Sequence, residues 1–158
     1  MIKFLIDINK FVTVKNTDYN SRIKRNIELY KSGKSNLTAK ELYELKIYLL
    51  KYKDIIYTTE FFVGSLKDYK IVSCFAEDFY FELQDYMIKK YKADIAVTVI
   101  IKDRKIFLKS NKERCKVDLC TLAKLLCGGA CIDESGSIAE GNITEKFLTL
   151  TKSFKPCI

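Results

Sequence analysis

At 158 residues the chain suits one domain, or a small domain with an appendage, and a hydrophobic content of 48% supports a real core. Lys and Arg number 28 against 20 for Asp and Glu, a formal +8, which favours polyanionic partners. The same excess, scattered as lysine among Ile, Asn and Tyr, also describes ordinary solvated faces. Met1–Ile8 is too short an apolar run for a signal peptide, being interrupted at Lys3 and Asp7, and no run approaches the roughly 18 apolar residues of a membrane helix, so a cytoplasmic location is expected.

The chain opens on an apolar strand, Ile2–Val14, interrupted at Asp7. An acid at the end of a buried strand is costly to ionise unless a cation or metal sits beside it; the plainer alternative is an edge strand with Asp7 in a turn. Thr17 or Asp18 is placed to cap a helix through Tyr30, with Ile23, Ile27 and Tyr30 at helical spacing and Gly33 as its stop. Thr38 and Glu41 form a capping-box pair ahead of a second helix, in which Leu42, Leu45, Leu49 and Tyr52 share one face. This helix reads as a connector.

Two strands are expected over Ile55–Val63 and Tyr69–Phe75, joined by a turn around Gly64, Ser65 and Asp68. From Glu77 to Tyr91 the period becomes helical, with Phe79, Leu83, Tyr86, Met87 and Tyr91 inward and Glu82, Asp85, Lys89 and Lys90 turned away. Asp94–Ile101 is nearly continuous in apolar residues, which predicts a strand buried on both faces. A charged turn at 102–104 leads to a hairpin partner, Lys105–Ser110. A helix from about Asp118 to Cys127 follows, ended by Gly128 and Gly129, and beyond the glycine loop Asn142 or Thr144 starts a last helix, with Pro156 marking its end. The fold class is therefore α/β, a mixed β-sheet flanked by helices.

Six cysteines without a secretory signal read as reduced thiols. Cys115, Cys120, Cys127 and Cys131 cluster, but their x4, x6 and x3 spacings hold no CxxC and the chain has no histidine, which argues against zinc.

Lys109-Ser110, then the helix Val117–Ala123, then Cys127-Gly128-Gly129-Ala130-Cys131 running to Ser135-Gly136, resemble the strand, helix and glycine-rich loop of the C-terminal domain associated with DHH (Asp-His-His) phosphoesterases. The likeness spans roughly residues 55 to 154. Upstream, Asp7-Ile8-Asn9-Lys10-Phe11 looks like the end of that family's catalytic domain, where an aspartate binds metal. The resemblance implies a division into a partial catalytic remnant (1–35), a connector helix (36–54) and a nucleotide or nucleic-acid binding domain (55–158). It implies a phosphate site of Lys109, Ser110, Gly128, Gly129, Cys131, Ser135 and Gly136, a vestigial metal ligand at Asp7, and Mn²⁺ or Mg²⁺ where the family's hydrolysis is retained. The chain departs from the pattern: it has no Asp-His-His motif, Cys131 replaces the loop histidine, and Glu134 stands where a small residue is usual.

Three functions follow. The first is binding of a nucleotide or short single-stranded nucleic acid by a degenerate module. The second is a metal-dependent phosphoesterase or exonuclease completed by a partner chain or a missing N-terminal region, the chain being inactive alone. The third is a non-catalytic interaction remnant that pairs with another chain, or with its own copy, through the N-terminal strand.

Overall fold

A computed structural model describes residues 18–33 and 37–158. Asp7 and the expected N-terminal strand lie outside them. The chain divides into two compact units, one ending at Thr58 and one running from Thr59 to Ile158.

The first unit contains helices α1 (Asp18–Lys31) and α2 (Ala39–Thr58). Ile23 and Ile27 are buried on α1, and Leu45, Tyr48, Leu49 and Tyr52 on α2. The capping box forms: Glu41 N–H donates to Thr38 Oγ1 at 3.3 Å, and Thr38 N–H returns to Glu41 Oε2 at 2.9 Å. Arg22 and Arg25 of α1 pair with Glu44 and Glu41 of α2 at 3.0 and 2.8 Å. These pairs are solvent-exposed in part and secure the register of the two helices more than their stability. Replacing Thr38 with alanine removes two of the box's hydrogen bonds and is expected to destabilise α2 by about 1 kcal/mol, read from thermal melts.

Two expectations are corrected here. Leu42 is exposed rather than part of the inward face. Ile55–Thr58, expected as strand, continues α2, because Ile55 and Ile56 fall three and four residues after Tyr52 and extend its helical stripe.

The second unit is built on a seven-stranded mixed sheet. Its strands are β1 (Phe61–Leu66), β2 (Tyr69–Phe75), β3 (Ile95–Ile100), β4 (Lys105–Ser110), β5 (Ala130–Cys131), β6 (Ile138–Asn142) and β7 (Lys155–Pro156), in the order β5-β6-β4-β3-β2-β1-β7. Three helices accompany them: α3 (Tyr80–Lys90), α4 (Leu119–Cys127) and α5 (Glu145–Thr151). β2 and β3 are parallel, joined through α3, and the other neighbours are antiparallel. β3 lies in the middle and all six of its residues are buried, as its unbroken apolar run requires.

The alternation of side chains divides the core between two faces. Ile95, Val97 and Val99 of β3, with Ile106 and Leu108 of β4, pack against Leu119, Ala123 and Cys127 of α4 and Phe147 of α5. On the other face Ile100 and Phe107 meet Phe81 of α3, and the buried Gln84 amide donates to Thr98 Oγ1 at 3.2 Å and to the Phe107 carbonyl at 2.8 Å.

The β1–β2 turn falls at Lys67-Asp68 rather than at Gly64-Ser65, which lie inside β1. Phe154 covers Gly64 so closely that a Cβ there would sit 2.0 Å from its ring. α3 starts at Tyr80 and buries Glu82 and Asp85, both expected to face solvent. Asp85 turns inward because Lys109, on the same face of β4 as Phe107, meets it there. Thr144 caps the last helix, accepting from Phe147 N–H, and the helix ends at Thr151. Pro156 lies beyond it in β7, an edge strand, where its missing N–H is tolerated.

Candidate anion-binding site

The chemistry-bearing residues of the second unit fall into three places. The first is the α4 C-terminus and its glycines. Asp118 caps the N-terminus of α4, accepting from Cys120 N–H at 3.1 Å and Thr121 N–H at 3.3 Å, and the hydrogen bonds from Thr121 hold its carboxyl below the usual range. At the other end Gly128 adopts φ +60° as the left-handed C-cap. The N–H groups of both Gly128 and Gly129 donate to the Ala123 carbonyl. The amides a phosphate loop would present are therefore engaged in closing the helix, and they sit at its negative end. The cleft beside them has a volume of about 390 Å³, and its cation, Lys105, is ion-paired with Glu140. Gly129 is needed for packing: a Cβ there would lie 1.9 Å from the Glu140 carbonyl oxygen.

The second place is the turn between β5 and β6. Cys131 is bonded to Cys120 in a disulfide closing a separation of 11 residues, which corrects the expectation of reduced thiols for this pair. The two meet because α4 packs beside β5, bringing its first turn against the strand with Cα atoms 5.0 Å apart. Cys74, Cys115, Cys127 and Cys157 are free thiols. Just past the bridge, Asp133 accepts from the Ser135 hydroxyl, the Ser137 hydroxyl at 2.7 Å, Ser137 N–H at 3.3 Å and Ile138 N–H at 2.7 Å. Burial raises the Asp133 pKa, but these four donors outweigh it and bring the carboxyl down to about 2. The chain's own carboxylate thus fills the donor-rich hollow that Ser135 and Gly136 help to shape. The Gly136 N–H donates to the Asp133 carbonyl.

The third place is the C-terminal end of β4. Here a cavity of about 500 Å³ is lined from α3 by Asp85, Ile88 and Lys89, from the residue after its cap by Lys92, from the strand end by Lys109 and Ser110, and from the following loop by Asn111–Arg114, with Ser137 closing one side. Five cationic side chains face two carboxylates, Asp85 and Glu113, a formal surplus of three positive charges. Lys109 Nζ is 2.5 Å from Asp85 Oδ1. Arg114 is anchored by its hydrogen bond to the Lys92 carbonyl at 3.1 Å and by Asp94 at 3.8 Å. Asn111 holds the loop start, its N–H on the Asp94 carbonyl at 2.8 Å and its Oδ1 accepting from Glu113 N–H at 3.2 Å. Lys112 Nζ donates to the Ser135 carbonyl and ties this loop to the Asp133 turn.

Of the seven residues expected at one phosphate site, Lys109 and Ser110 line this cavity, and Ser135 adjoins it through Lys112. Gly129 packs against β6 at Glu140, and Gly128 lines the same cleft, while Lys109 pairs with Ile138. Lys105 and Lys109 are four residues apart on β4, so the glycine cleft and the cavity are separated by about 13 Å of strand. Lys92, Lys112 and Arg114 were not anticipated. Their signal was present as a basic run just past a strand end, 109 to 116, and a second at the end of the preceding helix, 89 to 92. A separate apolar cavity of about 440 Å³, ringed by Phe62, Phe75, Phe147 and Phe154, has no cation in its lining.

No family model matches the chain, and no curated protein matches it. Among solved structures it is similar to the crystal structure of an uncharacterized protein from Helicobacter pylori G27, with 14% identity and a TM-score of 0.42, over 90% of this chain and 43% of that one. The chain thus spans less than half the length of that protein, and a likeness at this level carries no functional argument. Among the described residues no helix is long and apolar enough to cross a membrane, and none form a cluster of three or more metal-ligating side chains.

Proposed function

We propose that the second unit binds the phosphate backbone of a nucleotide or short single-stranded nucleic acid in the cavity at the end of β4. The observation that carries this reading is the convergence of Lys89, Lys92, Lys109, Lys112 and Arg114, from a helix, a strand and a loop, on one concave space. Cations held on separate rigid elements release counterions when a polyanion docks, without first being gathered from solvent. The anchoring of Arg114 and Lys112 to carbonyl groups reduces the side-chain entropy lost on binding. The resemblance of this region to the DHH-associated domain favours the same ligand class, with the contacts moved from the glycine loop to the strand end and its basic loop.

The test is a fluorescence titration with a short oligothymidylate over a series of salt concentrations. Lys92 and Lys112 both have exposed side chains, and replacing them together with alanine is expected to weaken binding about tenfold at low salt and to reduce the salt slope by about 1.4, two single-strand phosphate contacts. Absence of binding by the wild type at low salt overturns the reading.

A further inference from the structure

The cavity contains one feature that a simple basic pocket would not. Lys109, its deepest cation, is held by Asp85, and the side chains are only 15% and 8% exposed. The second carboxylate oxygen, Asp85 Oδ2, is buried without a hydrogen-bond partner. Two charged groups act on Asp85: Lys109, reaching from β4, and Lys89, one turn along α3. The other charged groups lining the space are Lys92, Lys112, Glu113 and Arg114.

We propose that Asp85 is a positioning residue for this site, withholding Lys109 from the ligand until Asp85 takes up a proton, so that anion binding and protonation of Asp85 are coupled. This rests on the cavity being the phosphate site proposed above. The physical argument is competition for one ammonium. A phosphodiester oxygen reaching Lys109 and the buried Asp85 carboxylate are both anions, and beside so little solvent at that end of the cavity they repel each other. If Lys109 turns to the ligand, the buried Asp85 loses its ion-pair partner on Oδ1, keeps the unpartnered Oδ2 and is left with the pull of Lys89, so its charged form is strongly disfavoured. Protonation removes that cost. Burial already pushes the Asp85 carboxyl above the ordinary range, against the pull of Lys109 and Lys89, and losing the Lys109 pairing moves it further in the same direction, which favours proton uptake on binding. The direction follows: a complex that holds one more proton than its free components is stabilised as pH falls.

The chain has no histidine, so no imidazole titrates across the working range and obscures the effect. The probe is an oligothymidylate without terminal phosphates, whose phosphodiesters and bases do not change charge between about pH 5.5 and 8. The expected result is that wild-type affinity falls with rising pH, by up to about tenfold per unit for one linked proton, while Asp85→Asn binds with little pH dependence. Asn keeps the shape of the carboxylate but leaves Lys109 unclaimed, so this variant is also expected to bind more tightly than wild type at the upper end of the range. Calorimetric titration of the wild type in two buffers of different ionisation enthalpy counts the protons directly and needs no variant. Tight binding with no pH dependence and no proton uptake overturns the coupling and leaves the cavity reading standing, as does a slope unchanged in a folded Asp85→Asn. Absence of binding at every pH overturns both.

Discussion

Gly129→Ala is expected to destabilise the second unit by about 3 kcal/mol or more, lowering Tm by 10 °C or more. The added Cβ would lie 1.9 Å from the Glu140 carbonyl oxygen and 2.7 Å from Gly141 Cα. Both are backbone atoms of β6, which is paired with β4 and β5 and cannot retreat without breaking those ladders. The neighbouring Gly128→Ala is the internal comparison. Nothing lies within 4 Å of a Cβ there, and only its φ of +60° opposes the change, which costs about 1–2 kcal/mol. A clear gap between the two melts shows that the second glycine serves the close approach of the α4 terminus to β6. Equal melts would contradict that packing.

Opening the Cys120–Cys131 bridge is the second large effect. The bridge closes a separation of 11 residues that takes in all of α4 but its first residue, both glycines and β5, and the chain-entropy relation gives about 3 kcal/mol for a loop of that length. Both cysteines are half-buried, and a dithiol reductant that opens the bridge returns two cysteine thiols and is itself oxidised. A thermal melt with reductant, and one of Cys120→Ser with Cys131→Ser, should fall by similar amounts. A melt indifferent to both treatments would contradict the bridge's contribution. Asp133 continues to organise the turn after reduction, because its four donors come from residues 135 to 138, beyond the bridge.

Much of the fold was legible in the sequence, and particular residues show why. The capping box at Thr38 and Glu41, the Asp118 cap and the Gly128 stop are local devices, whose geometry is complete within a few residues of chain. The β3–β4 hairpin was legible because its two apolar runs are separated by a short charged turn. β6 was not: Ile138–Asn142 reads Ile-Ala-Glu-Gly-Asn, without strand alternation, and becomes a strand because β4 and β5 pair with it and Gly141 lets Cys127 lie against it. The start of β1 was misplaced because Ile55 and Ile56 suit a strand in isolation, yet they extend the stripe of a helix already formed.

The candidate site divides along the same line. Lys109 and Ser110 could be found as the charged end of a strand. The Asp85–Lys109 pair spans 24 residues and exists only because α3 packs on the face of β4 that Phe107 and Lys109 share. The glycine loop looked like a phosphate cradle because sequence shows which residues free the backbone, not where its amides point. Gly128 and Gly129 point theirs at Ala123, and Asp133 occupies the hollow that follows.

An amide chemical-shift titration of the isotope-labelled protein with a short oligothymidylate locates the anion site directly. The largest shifts are expected on Lys92, on Ser110 to Arg114 and on Ser137, the residues around the cavity at the end of β4, with Gly128 and Gly129 nearly still. Shifts centred on Gly128 and Gly129, or no shifts at low salt, would contradict it.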